Sequence, residues 1–177
     1  MAYCTDVSDA AFVHLRGINT LDMSFCIQPA ITDAAFANLS GIQRLSIWDC
    51  VQATITDAAF AHLRGIQLLN VSICRQLTDA AFVHLRGIHT LYMWNCGQLA
   101  ITDAAFVHLR GIHTLVIEGC NQATITDAGF AHLKGIHALG MYRCSGEHVA
   151  AARSLGLPVN TRDCTSFGSF HYTFDLR

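Results

Sequence analysis

One stretch of twenty residues recurs six times along this chain, and that recurrence limits the fold more than any local propensity does. The copies run Val7 to Cys26, Ile31 to Cys50, Ile55 to Cys74, Leu77 to Cys96, Ile101 to Cys120 and Ile125 to Cys144. A spacing of 22 or 24 residues between equivalent positions is too short for an independent domain. It marks a solenoid, in which each unit buries its apolar face only against its neighbours. Each position of the unit then becomes a column, and each column has its own physical task.

Each unit opens with an apolar residue, a Thr or Ser and an Asp, as in ITDAAF. A hydroxyl cap followed by a carboxylate in the first turn satisfies free amides and complements the helix dipole, so a short helix is expected to begin there. Phe82 and Leu85 share one face of it, and Ala81 lies one turn before Leu85. Gly17, Gly41, Gly65, Gly87, Gly111 and Gly135 close it, five of them preceded by Arg or Lys. The period then changes from helical to alternating. Ile88, Leu91, Met93 and Cys96 spell I-x-x-L-x-M-x-x-C, with Leu91 and Met93 pointing inward and Tyr92 and Trp94 outward, as in a half-buried strand. Four residues link most units, two follow Cys74, and Gln recurs in the link at positions 28, 52, 76, 98 and 122.

The I-x-x-L-x-[MIV]-x-x-C segment, followed by [IL]-T-D-A-A-F-x-x-L, resembles the cysteine-containing leucine-rich repeat best known from F-box adaptor proteins. The resemblance covers about four-fifths of the chain. It implies a right-handed α/β solenoid, a horseshoe with a parallel sheet on its concave face and short helices on its convex face. No F-box stands before the repeats, so ligase recruitment is not carried over. The near-identity of the units points to recent tandem duplication or consensus design.

The whole chain, 1–177, is expected to be a single repeat domain. Residues 1–6 form a truncated first turn, since MAYC overlays the end of a unit, and they leave an uncapped N-terminal edge. Residues 7–144 are the six repeats. Residues 145–177 are a degenerate repeat and cap, in which Pro158 interrupts the pattern and Phe170, Tyr172, Phe174 and Leu176 alternate as an extended segment over the open end of the core.

Composition narrows the class of activity. Of 13 acidic residues, six are the Asp column, and of 11 basic residues, five precede the glycines. The formal charge of -2 leaves no basic stripe, so nucleic acid is not an expected partner. No apolar run approaches the roughly 18 residues of a membrane span, and no leader is apparent. The chain is expected to be soluble and cytoplasmic, with reduced cysteines and no membrane partner. Seven of the eight cysteines recur once per unit, from Cys4 to Cys144, and are read as a buried thiol ladder, with Cys4 and Cys164 as exceptions.

His14, His62, His84, His108 and His132 share one helix position, and His89, His113 and His137 follow the Ile. One imidazole per helix without converging carboxylates or thiols is poor ligand geometry, so neither metal nor cofactor is expected. A pH-sensitive convex face is a consequence. No nucleophile, base and orienting group recur together, and no enzyme is expected. The Thr column is explained by capping, not by ice-binding hydroxyl arrays.

Three columns vary freely. The residue between the inward pair reads Asp22, Ser46, Asn70, Tyr92, Val116 and Gly140. The next outward residue reads Ser24, Trp48, Ser72, Trp94, Glu118 and Tyr142. The one before the Cys reads Phe25, Asp49, Ile73, Asn95, Gly119 and Arg143. A constant frame with a varied concave face is how a repeat scaffold carries contacts, and Trp48 and Trp94, about 10 Å apart by strand spacing, resemble an interface hot spot. The chain is therefore read as a non-enzymatic module that binds a protein or peptide through Trp48, Tyr92, Trp94 and Tyr142. Phe25, Asp49, Ile73, Asn95, Glu118 and Arg143 shape its specificity. The competing reading is a structural or self-assembling scaffold without an external ligand, forming a homodimer through its N-terminal edge.

Overall fold

The computed structural model describes residues 6–97 and 100–162. Seven short strands form one parallel sheet in chain order: β1 (Thr20–Asp22), β2 (Arg44–Ser46), β3 (Leu68–Asn70), β4 (Thr90–Tyr92), β5 (Thr114–Val116), β6 (Ala138–Gly140) and β7 (Val159–Asn160). Equivalent residues sit in register, Leu45 beside Leu69 and Leu69 beside Leu91, so the sequence columns are spatial columns. The inward Leu and the Met, Ile or Val two residues on are fully buried. They join Phe12, Phe36, Phe60, Phe82, Phe106 and Phe130 in one continuous core.

The helical half of each repeat is shorter and tighter than its caps alone predict. Single α turns span α1 (Asp33–Phe36), α2 (Asp79–Phe82), α3 (Asp103–Phe106) and α4 (Asp127–Phe130), and α1, α3 and α4 continue as 3-10 turns. Asp9–Leu15 and Asp57–His62 are 3-10 throughout. Strands repeat every ~4.8 Å, whereas packed α-helices need 8–10 Å. The narrower 3-10 winding reduces that mismatch, and the remainder bends the stack with the sheet on its concave side. Gly87 stops its segment at φ 81 with open space around the position of a Cβ, so backbone conformation, not crowding, requires glycine there.

The Asp column does more than open helices. Asp79 accepts from Thr102 of the next repeat at both the backbone N–H (2.8 Å) and the hydroxyl (2.7 Å). Thr102 Oγ1 in turn accepts from Ala104 N–H at 3.2 or 3.1 Å like its siblings, 3.1 Å in this unit. The same pair joins Asp9 to Thr32, Asp33 to Thr56, Asp57 to Thr78 and Asp103 to Thr126. Thr78 keeps its bond although its connector is two residues shorter. A second seam runs through the turns, where Cys50, Cys74, Cys120 and Cys144 donate their thiols to the carbonyls of Met23, Ile47, Met93 and Ile117. Gln76 and Gln122 Nε2 donate to the Cys50 and Cys96 carbonyls; Gln98 lies outside the described residues.

After Cys144 the pattern changes to a regular helix, α5 (Gly146–Ser154), opened by Ser145 accepting from His148 N–H. His148 is buried and its Nε2 reaches the Gln122 carbonyl at 3.0 Å. β7 then pairs with β6 through Leu139 and Val159, and the Pro158 carbonyl accepts from Leu139 N–H. The expectations for Cys4, Cys164 and the alternating stretch from Phe170 to Leu176 fall outside the described residues. Among the described residues, no helix is long and apolar enough to cross a membrane.

Candidate functional site: the concave sheet face

Strand alternation carries the variable residues to the face turned away from the core, and the register lines them up across the sheet. Ser24, Trp48, Ser72, Trp94, Glu118 and Tyr142 make one row, and Asp22, Ser46, Asn70, Tyr92, Val116 and Gly140 another. Sequence reasoning passed over a third row, Thr20, Arg44, Leu68, Thr90, Thr114 and Ala138, at the start of each strand. The same alternation that picked out the other two rows reaches it one residue before the inward Leu.

Trp48 and Trp94 approach more closely than their strands do. Their ring centroids are 6.5 Å apart at 56°, because the intervening Ser72 is small and the indoles lean over it. Ser72 Oγ accepts from Trp94 N–H at 3.0 Å. Phe25 packs on the other side of Trp48 at 4.6 Å and 57°. These tilted arrangements are the ones aromatic quadrupoles favour. Arg143 lies over the Tyr142 ring at 5.3 Å, a cation–π contact at the far end of the row.

The column before the cysteine has a conformation that alternation does not describe. Phe25, Asp49, Ile73, Asn95 and Arg143 all have positive φ, between 53° and 64°, and Gly119 has φ 68°. Left-handed backbone suits Asn, Asp and Gly, and is unfavourable for Phe and above all for the β-branched Ile73. The strand therefore ends in a tight turn that presents this side chain at the rim instead of continuing the alternation. The presence of Asp49, Asn95 and Gly119 in one column was the available signal.

The burial of the candidate residues is uneven. Asn95 and Arg143 are exposed, whereas Phe25, Trp48, Asp49, Ile73, Tyr92, Trp94 and Tyr142 are half-buried. Glu118 is 1% exposed, unlike the accessible carboxylate that its row predicts. At the β1 end, Asp22 Oδ1 accepts from Ser24 at both N–H (2.9 Å) and hydroxyl (2.6 Å), and Ser24 Oγ meets Ser46 Oγ at 2.8 Å. Polar side chains there are tied to one another.

The histidines form two separate systems. On the helical side Arg86 Nε donates to His108 Nδ1 at 3.3 Å and Arg110 Nη2 reaches His132 Nδ1 at 3.0 Å; Arg16 makes the same bond to Asn38 Oδ1 at 2.9 Å. Desolvation, and then the Arg86 charge, hold His108 below its usual value. At the entry to the strands, His89, His113 and His137 stack with centroids 4.4 and 4.5 Å apart, and desolvation followed by the two flanking imidazoles lowers His113. Stacked rings do not converge on an ion. Among the described residues no cluster of three His, Cys, Asp or Glu could hold a metal. A groove of about 340 Å³ lies between α4 and α5, lined by Ile125, Asp127, Glu147 and His148, away from the aromatic row.

No protein-family model matches the chain, and no curated protein matches it. Solved structures do. A chain of the yeast Rad7 and Elc1 complex aligns with TM-score 0.62 and 18% identity, over 90% of this chain and 46% of that one. The TLR13–ssRNA13 complex aligns with TM-score 0.58 and 17% identity, over 78% of this chain and 24% of that one. This chain thus spans less than half the length of either. Both are leucine-rich repeat solenoids, and the seven parallel strands with their short helices give this chain the α/β fold of a leucine-rich repeat solenoid.

Proposed function

We propose that this solenoid is a non-enzymatic interaction module that holds a protein or peptide on its concave sheet face. Trp48, Tyr92, Trp94 and Tyr142 are its anchors, and Phe25, Asp49, Ile73, Asn95, Glu118 and Arg143 set its selectivity. The observation that carries this reading is the Phe25, Trp48 and Trp94 cluster, three large rings gathered where the repeats differ and the scaffold itself needs none. Rigid aromatic side chains supply contact area at low entropic cost and dominate binding energies. The like-folded proteins occur in complexes, one with a protein and one with RNA. The net charge of -2 favours the protein. We further place the repeats with the cysteine-containing class, because the thiols of Cys50, Cys74, Cys120 and Cys144 donate to carbonyls of the preceding repeat, and we assign the chain to the cytoplasm, where buried free thiols persist.

The test replaces Trp48 and Trp94 together by Ala and compares capture from a lysate of the source organism. The expected outcome is loss of a partner that wild type retains specifically, with thermal unfolding shifted by only a few degrees, as for half-exposed residues. Retained capture would remove the concave face as the site.

A further inference from the structure

The Asp column closes each junction between repeats with one set of bonds. Asp9, Asp33, Asp57, Asp79 and Asp103 accept from the following repeat's Thr, at its N–H (2.7–2.9 Å) and its hydroxyl (2.6–2.7 Å). In two full-length links a second Thr, two residues earlier, adds to them. The Thr54 and Thr124 carbonyls accept from the N–H of Asp33 and Asp103 at 3.1 Å, and their hydroxyls donate to the Ile31 and Ile101 carbonyls at 2.7 and 2.9 Å. The edge of a repeat is therefore shaped to receive a Thr-x-Thr segment.

The last junction departs from this pattern. Three or five residues separate Cys from the capping Thr in the earlier links, whereas Ser145 directly follows Cys144. Its N–H is drawn to Asn121 Oδ1 and its hydroxyl to His148 Nδ1, so neither is given to Asp127. Among the described residues nothing supplies the equivalent bonds to Asp127 or Ile125, and the groove of about 340 Å³ against α5 lies beside both. Asp127 and Glu147 are exposed along it, with Ala123 and Ala151 as small apolar walls. His148 also lines it, but both its ring nitrogens are already engaged. The volume falls in the ~300–1,000 Å³ range of ligand sites.

We propose that this groove binds a Thr-x-Thr segment of a partner protein, which makes there the bonds that Thr54 and Thr56 make to the repeat before them. The second Thr of the segment gives its N–H and hydroxyl to the Asp127 carboxylate. The first gives its hydroxyl to the Ile125 carbonyl, and its own carbonyl accepts from the Asp127 N–H. A small apolar residue between them faces Ala123 and Ala151. A Lys or Arg next to the motif complements Asp127 and Glu147, and the same two carboxylates exclude a phosphate on either Thr. The site lies at the end of the solenoid and does not depend on the concave face.

The test titrates a capped peptide, Ala-Thr-Val-Thr-Lys, into the isotopically labelled full chain. Amide signals of Asp127, Ala128 and Glu147 should shift and saturate, while those of Trp48 and Trp94 stay in place. Val or phosphothreonine at the second Thr should weaken binding at least tenfold, the factor that a hydrogen bond to a charged group carries. Asp127→Asn should weaken it about tenfold with the circular dichroism unchanged. The Trp48→Ala, Trp94→Ala protein should bind the peptide as wild type does, so failure of this site and failure of the concave face are read separately. No saturable shift at Asp127 at about 10 mM peptide, far weaker than any specific contact of this kind, would overturn the proposal. Equal binding of the Val peptide, or wild-type affinity in Asp127→Asn, would do the same.

Discussion

Replacing Asp79 by Ala tests whether the Asp column joins repeats or merely opens helices, because the chain contains its own control. Asp79 accepts two bonds from Thr102, at 2.8 and 2.7 Å. Asp127 occupies the same place in the last full repeat, where Ser145 opens α5 on its own. Asp127 is exposed and meets no following Thr. Removing Asp79 leaves the Thr102 N–H without its acceptor. Hydrogen bonds to charged groups contribute about 1.5–3 kcal/mol when well shielded, and with both partners half-exposed we expect a net loss of about 2 kcal/mol. For a domain of this size that is a fall in Tm of ~4–8 °C. Asp127→Ala removes only a favourable charge at a helix start, worth about 0.3–1 kcal/mol. Urea unfolding followed by circular dichroism measures both, with Asp79→Asn, which keeps one acceptor oxygen, falling between them. Equal losses for Asp79→Ala and Asp127→Ala would refute the inter-repeat role and return the carboxylates to capping alone.

Three further outcomes follow from the turns and the thiols. Asn95 is exposed at φ 53, so Asn95→Val should cost ~1–2 kcal/mol from backbone strain alone. Asn95→Gly should stay near wild type in the same urea titration, and equal effects would deny the left-handed turn. Burial pushes the Cys50 thiol from 9.0 up to about 12, with Cys144 moved alike and Cys74 raised in the same direction. Between those values the unfolded chain loses thiol protons that the folded chain keeps. Stability is then full below pH 9 and falls as pH rises toward 12. Cys50→Ala should flatten that slope in urea midpoints measured across the window, and an unaltered slope would assign the alkaline loss to other groups. Native-state alkylation followed by mass spectrometry should leave Cys50 and Cys74 unmodified, since thiolate and access are both withheld.

Much of the scaffold is legible in the columns. Leu91, Met93 and Ile88 alternate and repeat, so an inward face and its parallel stacking follow from the chain alone, and Gly87 marks the end of the helical half. The extent of the helix was less legible. Thr78 and Asp79 predict a start, but their own sequence cannot tell that stacking beside ~4.8 Å strands favours one α turn or 3-10 winding over a full α-helix. The candidate site divides the same way. Alternation carries Trp48, Tyr92 and Trp94 outward, but not the lean of two indoles across Ser72 to 6.5 Å, nor the depth of Glu118.

What the sequence determined by itself is therefore the period, the inward residues and the rows that vary, because these depend on side-chain type at fixed local spacing. Only the tertiary structure decided the bond from Asp79 to Thr102, the left-handed turn at Ile73 and the depth of Val116. Each of these is fixed by groups brought together when one repeat lands on the next. A residue's neighbours 22 or 24 positions away set its partner, its backbone angle and its access to water, and no local pattern encodes them.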